Sequence, residues 1–237
     1  MNVGKKVYVG LESSGKSVLM VRELVKNIDR NVYWQEITNL KRPIYYNLAL
    51  NDSILEYAES KGIQLIFWSN IWDLVSMTEC DLYIDELATY FDSRTYSDLP
   101  LDVRLWLAQA EKLGVQIVGA TQDYFMIDLS FRRLVKEVFE VRKFIGNRRP
   151  MKTAPPIKRI FGIFFVWQID PRTASKATNQ EEMTTMSFMG LPSVKFYGRK
   201  IVSYFDTNQR VALSEPPPLR KIVRICPEDN HRIVRYV

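Results

Sequence analysis

The stretch Gly10-Leu11-Glu12-Ser13-Ser14-Gly15-Lys16-Ser17 constrains this chain more than any other, because it fits the pattern G-x-x-x-x-G-K-[ST]. It follows the apolar run Val7-Tyr8-Val9 and leads into Val18-Leu19-Met20-Val21, which continues with helical spacing through Glu23, Leu24 and Val25. Strand, glycine loop and helix is the context in which the pattern has a physical meaning. Gly10 and Gly15 let the backbone curl until the N–H groups of Ser13, Ser14, Gly15, Lys16, Ser17 and Val18 face a common centre, and the helix adds its positive N-terminal dipole. A phosphate chain fits such a nest. Lys16 would reach the β and γ phosphates of a nucleotide, and the Ser17 hydroxyl would join a Mg2+ shell. A chain using the loop in this way must supply an acidic metal partner elsewhere.

Cys80-Asp81-Leu82-Tyr83-Ile84-Asp85-Glu86 is such a place, an apolar strand ending in two adjacent carboxylates. Asp85 would hold Mg2+ directly or through water, and Glu86 would polarise an attacking water. The chemistry has to run through carboxylates, lysine or water, since the only histidine, His231, lies six residues from the C-terminus. A histidine triad or multi-histidine metal site cannot be built.

Between and beyond these motifs the chain alternates strands and helices, which predicts a parallel sheet covered on both faces. The first helix is expected to end near Asn27 to Arg30, with Asn31 to Ile37 a short aromatic and β-branched strand and Lys41-Arg42-Pro43 its break. Asp52 reads as the N-cap of a helix over Ser53 to Lys61, closed by Gly62, before an apolar strand over Ile63 to Trp68. Leu101 to Leu113 reads as an amphipathic helix offering Leu105, Leu107, Ala108 and Leu113 to the sheet, with Gly114 ending it. Val115 to Gln122 follows as a buried strand whose tip, Thr121-Gln122, falls where open α/β sheets meet their ligands. Gln122 would sense a γ phosphate or position water there. Ile127 to Leu134 is a short helical segment, and Arg132 or Arg133 would enter a neighbouring subunit's nucleotide site, with Arg94 and Arg104 as further candidates.

The second half has a different character. Residues 1 to 130 hold 12 Lys/Arg against 18 Asp/Glu, a balance of −6, whereas residues 131 to 237 hold 21 against 9, a balance of +12. A basic half on a nucleotide-binding body suits a protein that holds or pulls a polyanion. Gly146 to Pro156 reads as a basic, proline-rich loop, Ile160 to Ile169 and Val194 to Phe205 as strands, and Thr173 to Thr185 as a polar exposed excursion. The tail from Pro216 onward is basic and extended. The expected organisation is an ATPase core over 1–145, with residues 146–237 completing the same domain. Two distant cysteines, Cys80 and Cys226, indicate neither a disulfide scaffold nor a zinc site, which fits a reducing compartment. The longest strongly apolar run, Ile160 to Trp167, is too short to span a membrane, so a soluble cytoplasmic protein is expected.

Gly10 to Ser17, the Asp85-Glu86 strand end and Lys112 to Gln122 together resemble the FtsK/HerA superfamily of DNA-pumping ATPases. Within it the likeness is to the zonular occludens toxin-like family, the assembly ATPases of filamentous phages. That family has a strand-end Gln, then an Ile-Asp and an arginine, resembled here by Gln122, Ile127-Asp128 and Arg132; its later aromatic-Asp-Ser/Thr strand end is resembled by Tyr204-Phe205-Asp206-Thr207. The resemblance implies an α/β P-loop NTPase fold of the RecA/FtsK kind, ATP and Mg2+, DNA held by its backbone without sequence preference, and a homo-oligomeric ring, a hexamer. Those phage proteins usually carry a membrane-spanning helix and a further domain, and neither is found in this sequence. Genome packaging into a preformed shell, with virus capsid or assembly proteins as partners and a place in the host cytoplasm or virion, is the expectation that suits this. A nucleotide or small-molecule kinase, a non-translocating nucleotide switch or a DNA-binding scaffold are the alternatives. The kinase leaves the basic half unexplained, no Asn-Lys-x-Asp guanine reader is found, and intact Lys16, Asp85 and Glu86 speak against a non-catalytic scaffold.

Overall fold

The computed structural model describes residues 4–40, 42–95, 99–145, 162–174, 176–187, 191–197, 221–225 and 232–236. The chain begins with β1 (Lys5–Val9) and α1 (Lys16–Thr38), then β2 (Ile44–Tyr46), α2 (Asp52–Ser60), β3 (Leu65–Phe67) and a 3-10 segment over Ile71–Ser76. It continues through β4 (Asp81–Ile84), α3 (Leu87–Tyr90), α4 (Leu101–Gln109), β5 (Gln116–Thr121), a 3-10 turn over Tyr124–Met126, α5 (Leu129–Arg132) and β6 (Val135–Ile145). After these come β7 (Gly162–Ile169), α6 (Pro171–Ala174), α7 (Gln180–Ser187), β8 (Ser193–Tyr197), β9 (Lys221–Ile225) and β10 (Arg232–Tyr236).

One sheet of eight strands in the order β3-β2-β4-β5-β1-β6-β7-β8 forms the middle layer. From β3 to β6 every neighbouring pair is parallel, and β7 and β8 add to the far edge antiparallel. β9 and β10 pair antiparallel in a separate ribbon. The parallel centre explains the continuous apolar runs of β4 and β5, where all four and all six residues are buried, because helices cover both faces. Leu19, Met20, Val21, Leu24 and Ile28 of α1 cover one face together with Ile54 and Ala58 of α2. The other face is covered by Leu87, Val103, Trp106, Leu107 and Ala110, with Ala174, Ala177 and Met183 from the α6–α7 segment.

Four expectations are corrected. The segment Asn31 to Ile37 is not a strand: α1 runs through it to Thr38 and ends on Asn39, which adopts the left-handed conformation and returns its N–H to the Gln35 carbonyl. Asn31 is fully buried and binds Asp81, so the inward stripe of the helix turns polar, while the apolar Tyr33 and Ile37 face outward at 60% and 59% exposure. The second strand is Ile44–Tyr46, directly after the Arg42-Pro43 break. On α4 the inward residues are Val103, Trp106 and Leu107, whereas Leu105 and Ala108 face outward. The polar Thr173 to Thr185 stretch is folded as parts of α6 and α7 and buries Ala174, Ala177 and Met183.

Smaller differences concern ends: Asn51 occupies the cap position before Asp52, and the strand expected over Ile63 to Trp68 is limited to Leu65–Phe67. Gly62 and Gly114 take the positive φ values, 72° and 70°, that end α2 and the α4 turn. The loop expected over Gly146 to Pro156, the Asp206 strand end and the proline tail at Pro216 lie outside the described residues, apart from β9 and β10 within the tail. Among the described residues, no helix is long and apolar enough to cross a membrane.

Candidate functional site

β1 lies between β5 and β6, in register Val9↔Thr121 and Val9↔Glu140, so the loop that leaves it emerges at the carboxyl end of the parallel strands. The Gly10 N–H is tied at 3.3 Å to the Thr121 carbonyl, and Ser14 N–H closes a turn on the Leu11 carbonyl at 3.1 Å. Neither glycine has room for a side chain. A β-carbon on Gly10 would overlap the Val141 carbonyl of β6, and one on Gly15 would overlap the Phe164 ring of β7. Gly15 also sits at φ 100°, ψ 13°, a left-handed conformation that turns the loop into α1. Ser13 shares the left-handed region at φ 59°.

The start of α1 is arranged for an anion. No side chain caps it and no acidic residue occupies its first turn, so its leading N–H groups and its positive dipole end are not neutralised by the helix itself. The buried Ser14 hydroxyl has no hydrogen-bond partner among the described residues. Lys16, only 6% exposed, folds back so that its Nζ donates to the Gly10 carbonyl at 2.7 Å and to the Leu11 carbonyl at 3.1 Å. Burial holds this ammonium below its ordinary pKa, and the charges that oppose the shift are, in order, Glu86, Asp85 and Glu12. Ser17 and Val18 are half-buried one and two residues further on.

Asp85 and Glu86 follow the last residue of β4. Burial first, and then the Glu86 charge, push the Asp85 carboxyl up to about 6, against the pull of Lys16. A buried carboxyl raised by a neighbouring carboxylate, beside a buried ammonium, is what a dication and a phosphate would relieve. Among the described residues no group of three His, Cys, Asp or Glu side chains gathers for a metal. A Mg2+ on Ser17 and Asp85 would therefore complete its shell with phosphate oxygens and water, the usual habit of this ion. Glu86 adopts φ 51°, ψ 65° and begins α3, with its carbonyl accepting from Thr89 N–H at 2.9 Å. Gly119 on β5 leaves the space that Leu87 fills, which seats the turn after Glu86 on the sheet.

The structure thus brings Gly10 to Val18 and the Asp85-Glu86 pair together. Gln122 is exposed, one residue past the Thr121 that holds Gly10. Arg132 lies over two aromatic rings of its own chain, 4.9 Å from the Phe125 centroid and 5.8 Å from that of Tyr124. Its buried Nε finds no hydrogen-bond partner among the described residues. Arg133 and Arg94 are exposed, and Arg104 on α4 is half-buried. One residue that the motifs did not single out is part of the site: Asn47, beyond β2, bonds to the backbone of Asp85. It is 38 residues from its partner, so no local pattern announces it.

No model of a known protein family matches the chain, and no curated protein matches it. Among solved structures it is similar to the genome packaging NTPase B204 from Sulfolobus turreted icosahedral virus 2 in complex with AMP, at 14% identity and a TM-score of 0.45 over 83% of this chain and 98% of that one. It is also similar to the N-terminal domain of zonular occludens toxin from Neisseria meningitidis, at 15% identity and a TM-score of 0.54 over 86% of this chain and 99% of that one. The loop at Gly10 to Ser17, the sheet order around β1 and this second likeness agree: the chain has an α/β P-loop NTPase fold, in the arrangement of the zonular occludens toxin N-terminal domain.

Proposed function

We propose that the chain is an ATPase that moves DNA, working as a ring of identical subunits, a hexamer, in genome packaging or virion assembly. The observation that carries the reading is the convergence of Lys16, Asp85 and Glu86 at one loop: a buried ammonium folded onto loop carbonyls, with two strand-end carboxylates as its strongest charged neighbours. In this reading the N–H groups of Ser13 to Val18 bind the phosphates of ATP, and Lys16 leaves the Gly10 and Leu11 carbonyls for the β and γ phosphates. Bound Mg2+, held by Ser17 and Asp85, would neutralise charge on the phosphate oxygens. Glu86 accepts a proton from the water that attacks the γ-phosphorus, while the bond to the β–γ bridging oxygen breaks. Gln122 positions that water or reads the γ phosphate. Arg132, or one of Arg133, Arg94 and Arg104, acts on the neighbouring subunit's ATP.

The DNA part of the reading is supported by charge. Residues 131–237 have a balance of +12, and the strands β6, β7 and β8 that belong to this part of the chain lie together at one side of the sheet. Such a distribution suits contacts to a phosphate backbone, each of which releases a counterion.

Steady-state ATP hydrolysis with and without single- and double-stranded DNA, at low and moderate salt, tests the reading, with Lys16→Ala as the blank. Turnover that rises with DNA, and a stimulation that weakens as salt rises, is the expected result. Hydrolysis indifferent to DNA would overturn the translocase and favour a kinase or switch. Mixing Arg132→Ala with Lys16→Ala subunits should restore part of the turnover if Arg132 acts in trans; the absence of rescue at every ratio would remove it from that role.

A further inference from the structure

Asn47 is the first residue past β2 and is all but buried, at 7% exposure. The last backbone rung between β2 and β4 is its own N–H, which donates to the Tyr83 carbonyl at 3.3 Å. Its carboxamide then adds a rung of its own. Oδ1 accepts from the Asp85 N–H at 2.6 Å, and Nδ2 donates to the Asp85 carbonyl at 3.4 Å, as a peptide group of a longer strand would do. Nδ2 also donates to the Tyr90 hydroxyl at 3.3 Å, and the Tyr90 ring packs 4.9 Å from that of Trp68.

Asp85 directly precedes Glu86, and Tyr90 closes the helical turn that directly follows it, so one side chain grips both flanks of Glu86. Glu86 itself stands in the left-handed region, which a residue with a β-carbon adopts only where its surroundings over-determine it. Further restraints are the Thr89 N–H on its carbonyl, its own N–H on the Asp85 carboxylate, and Leu87 packed into the space at Gly119. Only a carboxamide presents a donor and an acceptor side by side, and glutamine would place them one methylene further out. Aspartate would keep the acceptor and lose the donor, next to carboxylates that already repel each other.

We infer that Asn47 is a positioning residue for Glu86: it fixes the peptide before the carboxylate and the turn after it, and so aims Glu86 at the attacking water without touching substrate. The inference rests on the hydrolysis reading above. The full chain is assayed for ATP turnover, for affinity by a fluorescent ATP analogue and for thermal midpoint, as wild type, Asn47→Ala, Glu86→Gln and the double variant. Asn47→Ala should lose about 10- to 100-fold in kcat with nucleotide affinity held within about threefold, as expected for a misaimed group. The double variant should be no slower than Glu86→Gln alone, because the two residues act as one unit. Tyr90→Phe, a milder change that loosens one flank only, should lower kcat in the same direction by less. Wild-type kcat in Asn47→Ala, a parallel loss of affinity and thermal midpoint, or additive losses in the double variant would each overturn the assignment. A wild-type chain without ATP turnover would instead overturn the hydrolysis reading, and the role of Asn47 with it.

Discussion

Gly15 lies so close to the ring of Phe164 that the loop at the start of α1 rests on β7 without clearance. Glycine is required there twice over, once by the ring and once by the left-handed φ of 100°. Gly15→Ala should therefore cost about 1–3 kcal/mol of stability, read as a lower denaturant midpoint. Phe164→Leu in the same chain should return part of the loss, since it removes Cε1, the ring atom nearest the new β-carbon.

The conformation of Glu86 sets stability against activity. Glu86→Gly should stabilise the fold by up to about 1 kcal/mol, because glycine occupies the left-handed region freely while remaining costly in the unfolded chain. It should also stop hydrolysis. Glu86→Gln keeps the side chain's shape, and should reduce turnover by about 10²- to 10⁴-fold while still binding ATP. Denaturant melts and single-turnover assays on the two variants check the pair of effects. Equal turnover of wild type and Glu86→Gln would remove Glu86 from its role.

How much of this was legible beforehand depended on whether the signal was local. The glycine loop, the strand ending in Asp85-Glu86 and the strand ending in Thr121 were each written within about ten residues of sequence, and the structure contains all three. The latter part of α1 was not, because its inward stripe passes from Leu24 and Ile28 to Asn27 and Asn31. Those two amides are inside because Tyr83 and Asp81 await them, at 2.6 Å and 3.1 Å, across more than 45 residues of chain. Without those partners the β-branched and aromatic Val32-Tyr33-Trp34 weigh toward a strand. The same blindness hid Asn47 and left the polar α7 looking exposed, although Gln180 accepts from the Tyr124 N–H at 3.0 Å and Met183 is fully buried.

The far end of the sheet is held by an ion pair that can be tested directly. Asp81, with no exposed surface, accepts from Arg42 Nε at 2.9 Å and from Asn31 Nδ2 at 3.1 Å, while Arg42 also reaches the carbonyls of Cys80 and Gly114 at 2.7 and 2.6 Å. Arg42→Met leaves the buried carboxylate with Asn31 and the more distant Arg30, at 3.7 Å, and should cost about 3–5 kcal/mol. Arg42→Met combined with Asp81→Leu should cost less than the single change. Thermal melts of the two variants measure the difference.

Lys5 supplies the pH dependence. Burial, opposed by Glu111 and reinforced by Lys136, lowers its amine to about 8, below the value of about 10.4 that it regains on unfolding. Between these values the unfolded chain binds the extra proton, so this residue makes stability rise with pH there, and its penalty is present in full below pH 8. Lys5→Met should raise stability at pH 7 by about 1–3 kcal/mol, and the gain should fade to nothing by roughly pH 10.5. Melting curves of both chains from pH 6 to 11 give the result; a gain independent of pH would mean that packing rather than charge is responsible.

The seating of the loop has a mechanical consequence. Gly10 abuts the Val141 carbonyl and Gly15 abuts Phe164, so the floor of the phosphate site is made of β6 and β7, the two strands that flank residues 146–161. A loop with slack beneath it would absorb a change of contents by bending. This one has none, so a displacement of it has to be taken up by the paired strands β6 and β7 as well.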